Sequence, residues 1–209
     1  MIKISIIDDH AIVRKGLREI VANSPDMQVA FEASSGTEGL GVIRKNELDV
    51  VLLDISMPGL NGLETLQMIK GEKPRLPVLM LSVHPEEQYA VRALKLGASG
   101  YLTKESAPSE LLAAIRKVAA GGKYVNSSLA EKLAEYIESD SGRPPHETLS
   151  NRELQVMLLI AAGKSVKNIA EELSLSPKTV STHRTRLLGK MQLTNNADVI
   201  RYAVGHNLS

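Results

Sequence analysis

The chain has 209 residues, 43% of them hydrophobic, with 25 Lys and Arg against 24 Asp and Glu. That length and mixture point to two folded domains with real cores rather than a disordered chain, and no apolar run approaches the ~18 residues that span a bilayer. Having no cysteine, the chain has no disulfides, thiolate zinc sites or cysteine nucleophiles, and a reducing cytoplasmic location is expected.

The N-terminal "MIKISIIDDH" has one lysine, a short apolar run and then acids, which predicts a strand rather than a signal peptide. Through residue 120, short apolar runs alternate with helix-period stretches. Strands are predicted at 3–7, 29–33, 50–53, 78–81 and 100–102, the first and third being near-continuous apolar runs of the kind covered on both faces. Helices are predicted at 11–21, 37–45, 63–70, 86–96 and 109–119, with Gly97 as a stop and Pro108-Ser109 as a start. Five strand–helix repeats make an α/β unit, (βα)5, with a parallel sheet and right-handed crossovers.

Then the pattern changes. One helix is expected at about 128–138, and Asp140–Pro145 reads as an exposed linker. Beyond it no strand signal appears. Ser150 with Glu153 forms a capping-box pattern before an apolar helix that ends at Gly163. "SVKNIAEEL" is a short second helix, and Ser176-Pro177 opens a third. "NNADVIRYAVGHN" is a fourth. The expected domains are 1–120, a linker 121–147 and an all-α domain 148–209. Charge divides along the same lines. Residues 1–120 hold 14 basic against 15 acidic side chains, residues 121–147 hold 3 against 5, and residues 148–209 hold 8 against 4, a +4 balance that points to a polyanionic partner.

Ligands of parallel sheets bind beyond the carboxyl ends of the strands. The first predicted strand runs into Asp8-Asp9, the third into Asp54, the fourth into Ser82 and the fifth into Thr103-Lys104. If these strands are neighbours, three carboxylates, a hydroxyl and an ammonium converge. Clustered carboxylates need a cation, and oxygen ligands with room for water suit magnesium beside a phosphate. Lys104 and Ser82 can hold phosphate oxygens, and Asp54 is the natural nucleophile for a phosphoryl group. The plainer reading makes Asp8 and Asp9 helix caps and Asp54 a turn residue before Pro58-Gly59. His10 and His84 border the pocket and read as loop residues.

"IIDDH", "DISMPGLNG", "MLSVH" and "GYLTKES" resemble the signature stretches of bacterial response-regulator receiver domains, over residues 1 to about 120. The resemblance implies a flavodoxin-like fold with Asp54 as phosphoacceptor, charged by a histidine kinase or a small phosphodonor. It implies Mg2+ held by Asp9, Asp54 and the backbone carbonyl of Ser56, with Asp8 acting through water. Ser82 matches the switch hydroxyl, Lys104 the phosphate-pairing lysine and Tyr101 the switch aromatic. Many members have a cis proline after that lysine. Here Glu105 follows, and a non-proline cis bond costs ~3 kcal/mol, so a trans bond is expected.

On the third helix of the basic domain, Val180, Leu187, Leu188 and Met191 form one apolar face. Lys178, Ser181, Thr182 and Thr185 lie opposite, where short polar side chains can approach base edges, and Arg184 and Arg186 can reach phosphates. A solvated polar face is the plainer reading. The segment from Leu149 to Met191, with the closing "ADVIRYAV", is similar to the DNA-binding domain of LuxR/FixJ/NarL-type regulators. The resemblance implies a small helix-turn-helix domain whose third helix enters the major groove of double-stranded DNA, and a homodimer when phosphorylated, with the last helix supplying dimer contacts in many members. Several members have lysine where Ser181 stands. His183, in mid-helix, reads as structural, since no second metal ligand sits at a suitable spacing.

Two rival readings differ in kind. A haloacid-dehalogenase-type phosphatase would also mount an aspartate on a parallel strand, but needs a second aspartate two residues on, where Ser56 stands. A DNA binder with a vestigial pocket conflicts with five intact pocket residues. The function expected is therefore a phosphorylation-controlled transcriptional regulator that catalyses only its own phosphorylation and dephosphorylation.

Overall fold

A computed structural model describes residues 1–82, 86–106, 108–126, 129–131, 144–206 and 208. The chain forms two compact units, Met1–Tyr136 and Ile137–Ser209. His84, most of the helix expected at 128–138 and linker residues 140–143 lie outside the described residues.

In the first unit, β1 (Ile2–Ile7), β2 (Met27–Ala33), β3 (Val50–Asp54), β4 (Val78–Ser82) and β5 (Gly100–Thr103) form one sheet. Its order is β2-β1-β3-β4-β5, parallel throughout. Between strands run α1 (Ala11–Ala22), α2 (Gly36–Lys45), α3 (Gly62–Glu72), α4 (Glu86–Lys95) and, after β5, α5 (Pro108–Ala119). Every residue of β3 and β4 is buried, which is why Val50–Leu53 and Val78–Leu81 read as unbroken apolar runs. The edge strand β2 is only half covered and carries Gln28 and Glu32. On one face Ile4, Ile6, Leu52, Leu79 and Leu102 pack against Val21 of α1 and Leu111, Ile115 and Val118 of α5.

The strand order reverses between β1 and β3, so their carboxyl ends splay apart and leave a crevice. Asn61 and Glu64 close a reciprocal capping box at the start of α3. Gly62 lies against the backbone of Asp54, and a Cβ there would fall 2.0 Å from the Asp54 carbonyl oxygen. The turn that follows the phosphoacceptor candidate therefore requires a residue without a side chain.

The second unit is helical among the described residues. A 3-10 turn (Pro145–Thr148) leads into α6 (Asn151–Ala161), α7 (Val166–Glu172), α8 (Pro177–Met191) and α9 (Asn196–Gly205). Ser150, Ser165, Ser176 and Asn195 cap the four helices, each accepting a backbone N–H three residues on. Ser174, at φ +50°, makes the turn between α7 and α8. His146 of the 3-10 turn reaches the Tyr202 hydroxyl at 2.8 Å, and His206 stacks on the Tyr202 ring at 4.0 Å, which fastens that turn to α9.

Candidate functional site

The crevice at the carboxyl ends of β1, β3, β4 and β5 collects the expected side chains. Asp8 follows β1, Asp54 ends β3, Ser82 ends β4, and all three are buried. Lys104 follows β5, its backbone N–H bonded to the Ser82 carbonyl at 2.7 Å. Lys104 Nζ stands 2.7 Å from Asp8 Oδ2 and 3.0 Å from Asp54 Oδ1. Asp9 is partly exposed at the rim. Tyr101, on β5, is wholly buried. All peptide bonds of the described residues are trans, Lys104–Glu105 included.

The helix-cap reading does not hold for Asp8 or Asp9, because α1 has His10 at its N-cap and no side-chain cap bond. Asp8 Oδ1 instead accepts the His10 N–H at 2.8 Å, a local turn bond, while Asp8 Oδ2 faces Lys104. His10 is more engaged than its sequence context indicates, its Nδ1 lying 2.9 Å from Asp9 Oδ1. Ligand atoms of Asp8, Asp9, His10 and Asp54 all lie within 4.8 Å of one another.

Burial pushes the Asp54 carboxyl up to about 6, and the negative charge of Asp8 adds to that, against the pull of Lys104 and the Ser56 backbone N–H. Lys104 is raised, because Asp54 and Asp8 together outweigh its own burial. One ammonium thus answers two buried carboxylates. Asp54 Oδ2 is buried and accepts no hydrogen bond. An orphaned buried carboxylate oxygen beside two further carboxylates is a fitting seat for a hard divalent cation with oxygen ligands, and the residues present therefore suit Mg2+.

In the second unit, Lys178, Ser181, Thr182, Thr185 and Arg186 are exposed along α8, while Val180, Leu187 and Met191 are buried beneath. The three hydroxyls donate back to carbonyls one turn earlier, Ser181 to Pro177, Thr182 to Lys178 and Thr185 to Ser181, at 2.8 to 3.0 Å. Their lone pairs and methyl groups remain outward. Arg184 is half-buried and its Nε donates to Asn196 Oδ1 at 2.6 Å, so it braces α8 against the start of α9. His183 is half-buried. Exposed Lys167 on α7 is a further cation of the helix-turn-helix, with no local sequence signal to mark it. Lys190 reaches back from α8 to Glu153 Oε2 at 2.6 Å.

A parallel sheet with an acidic, lysine-bridged crevice, and a helix-turn-helix whose third helix exposes a polar face, define a receiver joined to a DNA-binding output. Comparison with known proteins agrees. Residues 4–116 match the family model for the response regulator receiver domain, and residues 147–203 match that for bacterial regulatory proteins of the luxR family. Response regulator UvrY of Escherichia coli (strain K12) is 39% identical over all of this chain and 96% of its own length. Response regulator GacA of Pseudomonas aeruginosa is 36% identical, over 100% and 98%. Among solved structures, RcsB of Salmonella enterica serovar Typhimurium, bound to promoter rprA in the presence of the phosphomimetic BeF3-, is 28% identical with a TM-score of 0.64, covering 96% of this chain and 97% of that one. ChrA, a response regulator of a heme-sensing two-component system, is 30% identical with a TM-score of 0.55 over 100% and 98%.

The chain belongs to the response regulators that carry a receiver domain and a LuxR-type DNA-binding domain. It is a phosphorylation-controlled transcription regulator of the two-component kind rather than a metabolic enzyme. No described helix is long and apolar enough to cross a membrane.

Proposed function

We propose that Asp54 is the phosphoryl acceptor and that its modification governs DNA binding by α8. One observation carries this reading: the Asp54 carboxylate is buried at the end of β3 with Oδ1 beside Lys104 and Oδ2 without a donor. An oxygen so placed attacks the phosphorus of a phosphohistidine or an acyl phosphate. The bond from phosphorus to the donor atom breaks, and an acyl phosphate forms on Asp54. Asp9, Asp54, the Ser56 carbonyl and, through water, Asp8 would hold Mg2+, which supplies charge neutralisation for the incoming phosphoryl group. Lys104, already between Asp8 and Asp54, pairs with the new phosphoryl oxygens. Water then attacks the acyl phosphate, the bond between phosphorus and the Asp54 oxygen breaks, and inorganic phosphate leaves with the carboxylate restored, so the chain's only catalysis is on itself.

Ser82 ends the strand next to β3, paired in register with Thr103 of β5. Its hydroxyl moves toward the phosphoryl group, and the buried Tyr101 two residues before Thr103 follows that shift on β5. Phosphorylation favours whichever state of this face contacts the phosphoryl group better, and homodimerisation follows from it. Residues 1–120 act as receiver, 121–147 as linker and 148–209 as output. In the output unit Lys178, Ser181, Thr182 and Thr185 face base edges, and Arg184 and Arg186 meet phosphates of duplex DNA. The partner kinase delivers its phosphoryl group in the cytoplasm.

Binding to a promoter duplex with and without phosphodonor, measured at two salt concentrations, tests this. Phosphodonor should tighten wild-type binding and leave Asp54→Asn unchanged, with affinity falling steeply as salt rises. Equal occupancy in all four conditions would remove both the switch and the DNA assignment.

A further inference from the structure

The receiver unit has a second concentration of charge, at the end of the sheet opposite the phosphoacceptor. There β4 and β5 begin, and α3 and α5 end. A recess of about 420 Å3 opens among Lys70, Pro74, Arg75, Pro77, Ser99 and Lys123. That volume lies within the range of small-molecule sites, roughly 300–1,000 Å3. Its described lining holds three cations and no carboxylate. Acids close by in the chain or lining an adjoining recess are engaged: Glu72 pairs with Arg44, Glu47 faces Lys73 at 3.5 Å, and Asp49 accepts the Lys3 backbone N–H at 2.7 Å.

The two lysines are held in place. Lys70 Nζ donates to the Leu76 carbonyl at 2.6 Å, and Lys123 Nζ donates to the Ala98 carbonyl at 2.6 Å. Each ammonium has three donors, so N–H groups remain beyond those bonds. Burial, and then the positive charge of Lys123, hold Lys70 below the usual lysine range. Lys70 Nζ also reaches the Pro74 carbonyl, at 3.4 Å, so three loop carbonyls account for two contacts of Lys70 and one of Lys123. Those bonds do not explain why two ammonium groups and a guanidinium line one recess with no carboxylate among them, an arrangement that an anion would relieve.

We propose that this recess binds a small phosphorylated anion, its phosphate met by Lys70, Lys123 and Arg75 and its remaining surface lying on Pro74 and Pro77. Proline rings offer a rigid apolar wall to a sugar or base, and the cations offer charge-assisted bonds to phosphate. A ligand so held ties the end of α3 to the turn after α5, and it stabilises the receiver in proportion to occupancy. The same phosphate chemistry is offered by an inorganic oligophosphate and by a nucleotide.

Calorimetric titration of the full chain with pyrophosphate and, separately, with adenosine monophosphate tests this. Asp54→Asn with EDTA present silences the phosphoacceptor pocket. Saturable one-to-one binding with a Kd below about 1 mM is expected, weakened about tenfold or more by Lys123→Gln or Arg75→Ala and unchanged by Lys178→Ala/Arg186→Ala. Both test residues are exposed, so their replacement leaves the core intact. Equal affinity for both probes assigns an inorganic oligophosphate, and tighter binding of the monophosphate nucleotide assigns a nucleotide. Binding that survives both recess variants, binding lost only in the α8 variant, or no saturable heat up to about 10 mM would each overturn the proposal.

Discussion

Lys104 Nζ lies 3.0 Å from Asp54 Oδ1, so the strand that carries the proposed acceptor carboxylate and the loop after β5 are joined by one buried ion contact. The same ammonium is 2.7 Å from Asp8, which makes it the sole described cation in contact with two buried carboxylates.

Lys104→Met should therefore leave Asp8 and Asp54 facing each other without a counter-charge. Asp54 is already raised to about 6 by burial and by Asp8, and losing Lys104 pushes it further up. An acid whose folded value is raised above its unfolded one contributes stability at low pH and loses it as pH climbs through the folded value. The thermal deficit of the variant should thus grow between pH 5 and pH 8, toward about 3 kcal/mol. Melting curves across that range check it, and a deficit independent of pH would contradict it.

Gly62→Ala places a Cβ 2.0 Å from the Asp54 carbonyl oxygen, a backbone atom that cannot swing aside. The expected cost is about 2–4 kcal/mol, with Asp54 displaced from Lys104. Denaturant unfolding and phosphodonor labelling should both fall. Gly71→Ala in α3, whose Cβ meets nothing within 4 Å, should be neutral or mildly stabilising.

Glu153 ties the start of α6 to the end of α8. Burial alone would raise its carboxyl, but Lys190 and then the Ser150 backbone N–H and hydroxyl outweigh that and hold it below the usual glutamate range. A lowered acid contributes stability above its unfolded value, near 4.5, and loses it as pH falls through the folded value. Glu153→Gln should cost the helical unit about 1–3 kcal/mol at pH 7, with the gap to wild type closing in acid below about pH 4. A gap of the same size at pH 3 would mean the charge is not what Lys190 reads.

Lys178→Ala and Arg186→Ala should weaken binding to every duplex similarly and lower the salt slope by about one each. Ser181→Ala and Thr185→Val should instead change the order of preferred sequences by about 1–3 kcal/mol at the affected positions. Arg184→Ala should lower the melting temperature as well, since its Nε holds Asn196. Titrations at two salt concentrations against specific and scrambled duplexes separate these classes.

Much of this architecture is legible in the residues because burial on both faces leaves a plain trace. Val50–Leu53 could be assigned as a strand covered on both faces, and the acids that end the first and third strands as a pocket, from the residues alone. Edge geometry is less visible: β2 begins at Met27, two residues before its apolar signal, because a half-covered strand mixes Gln28 and Glu32 into the run. α3 continues to Glu72 past its last strong apolar position, since Gly71 is tolerated there. Long-range pairs have no periodicity at all. Nothing local marks Lys190 as the partner of Glu153, 37 residues away, or Arg184 as a brace for Asn196. The gathering of Lys70, Arg75 and Lys123 depends on where the last turn of α3, the loop before β4 and the turn after α5 meet, and His10 joins the acids only through the turn that Asp8 itself makes.

The most direct test is the intact mass of the purified protein after incubation with acetyl phosphate and Mg2+, beside Asp54→Asn, followed by peptide mapping of any adduct. A single phosphoryl adduct on the wild type, mapped to Asp54 and missing from the variant, is the predicted result. An adduct that maps elsewhere, or that persists in Asp54→Asn, would contradict the account.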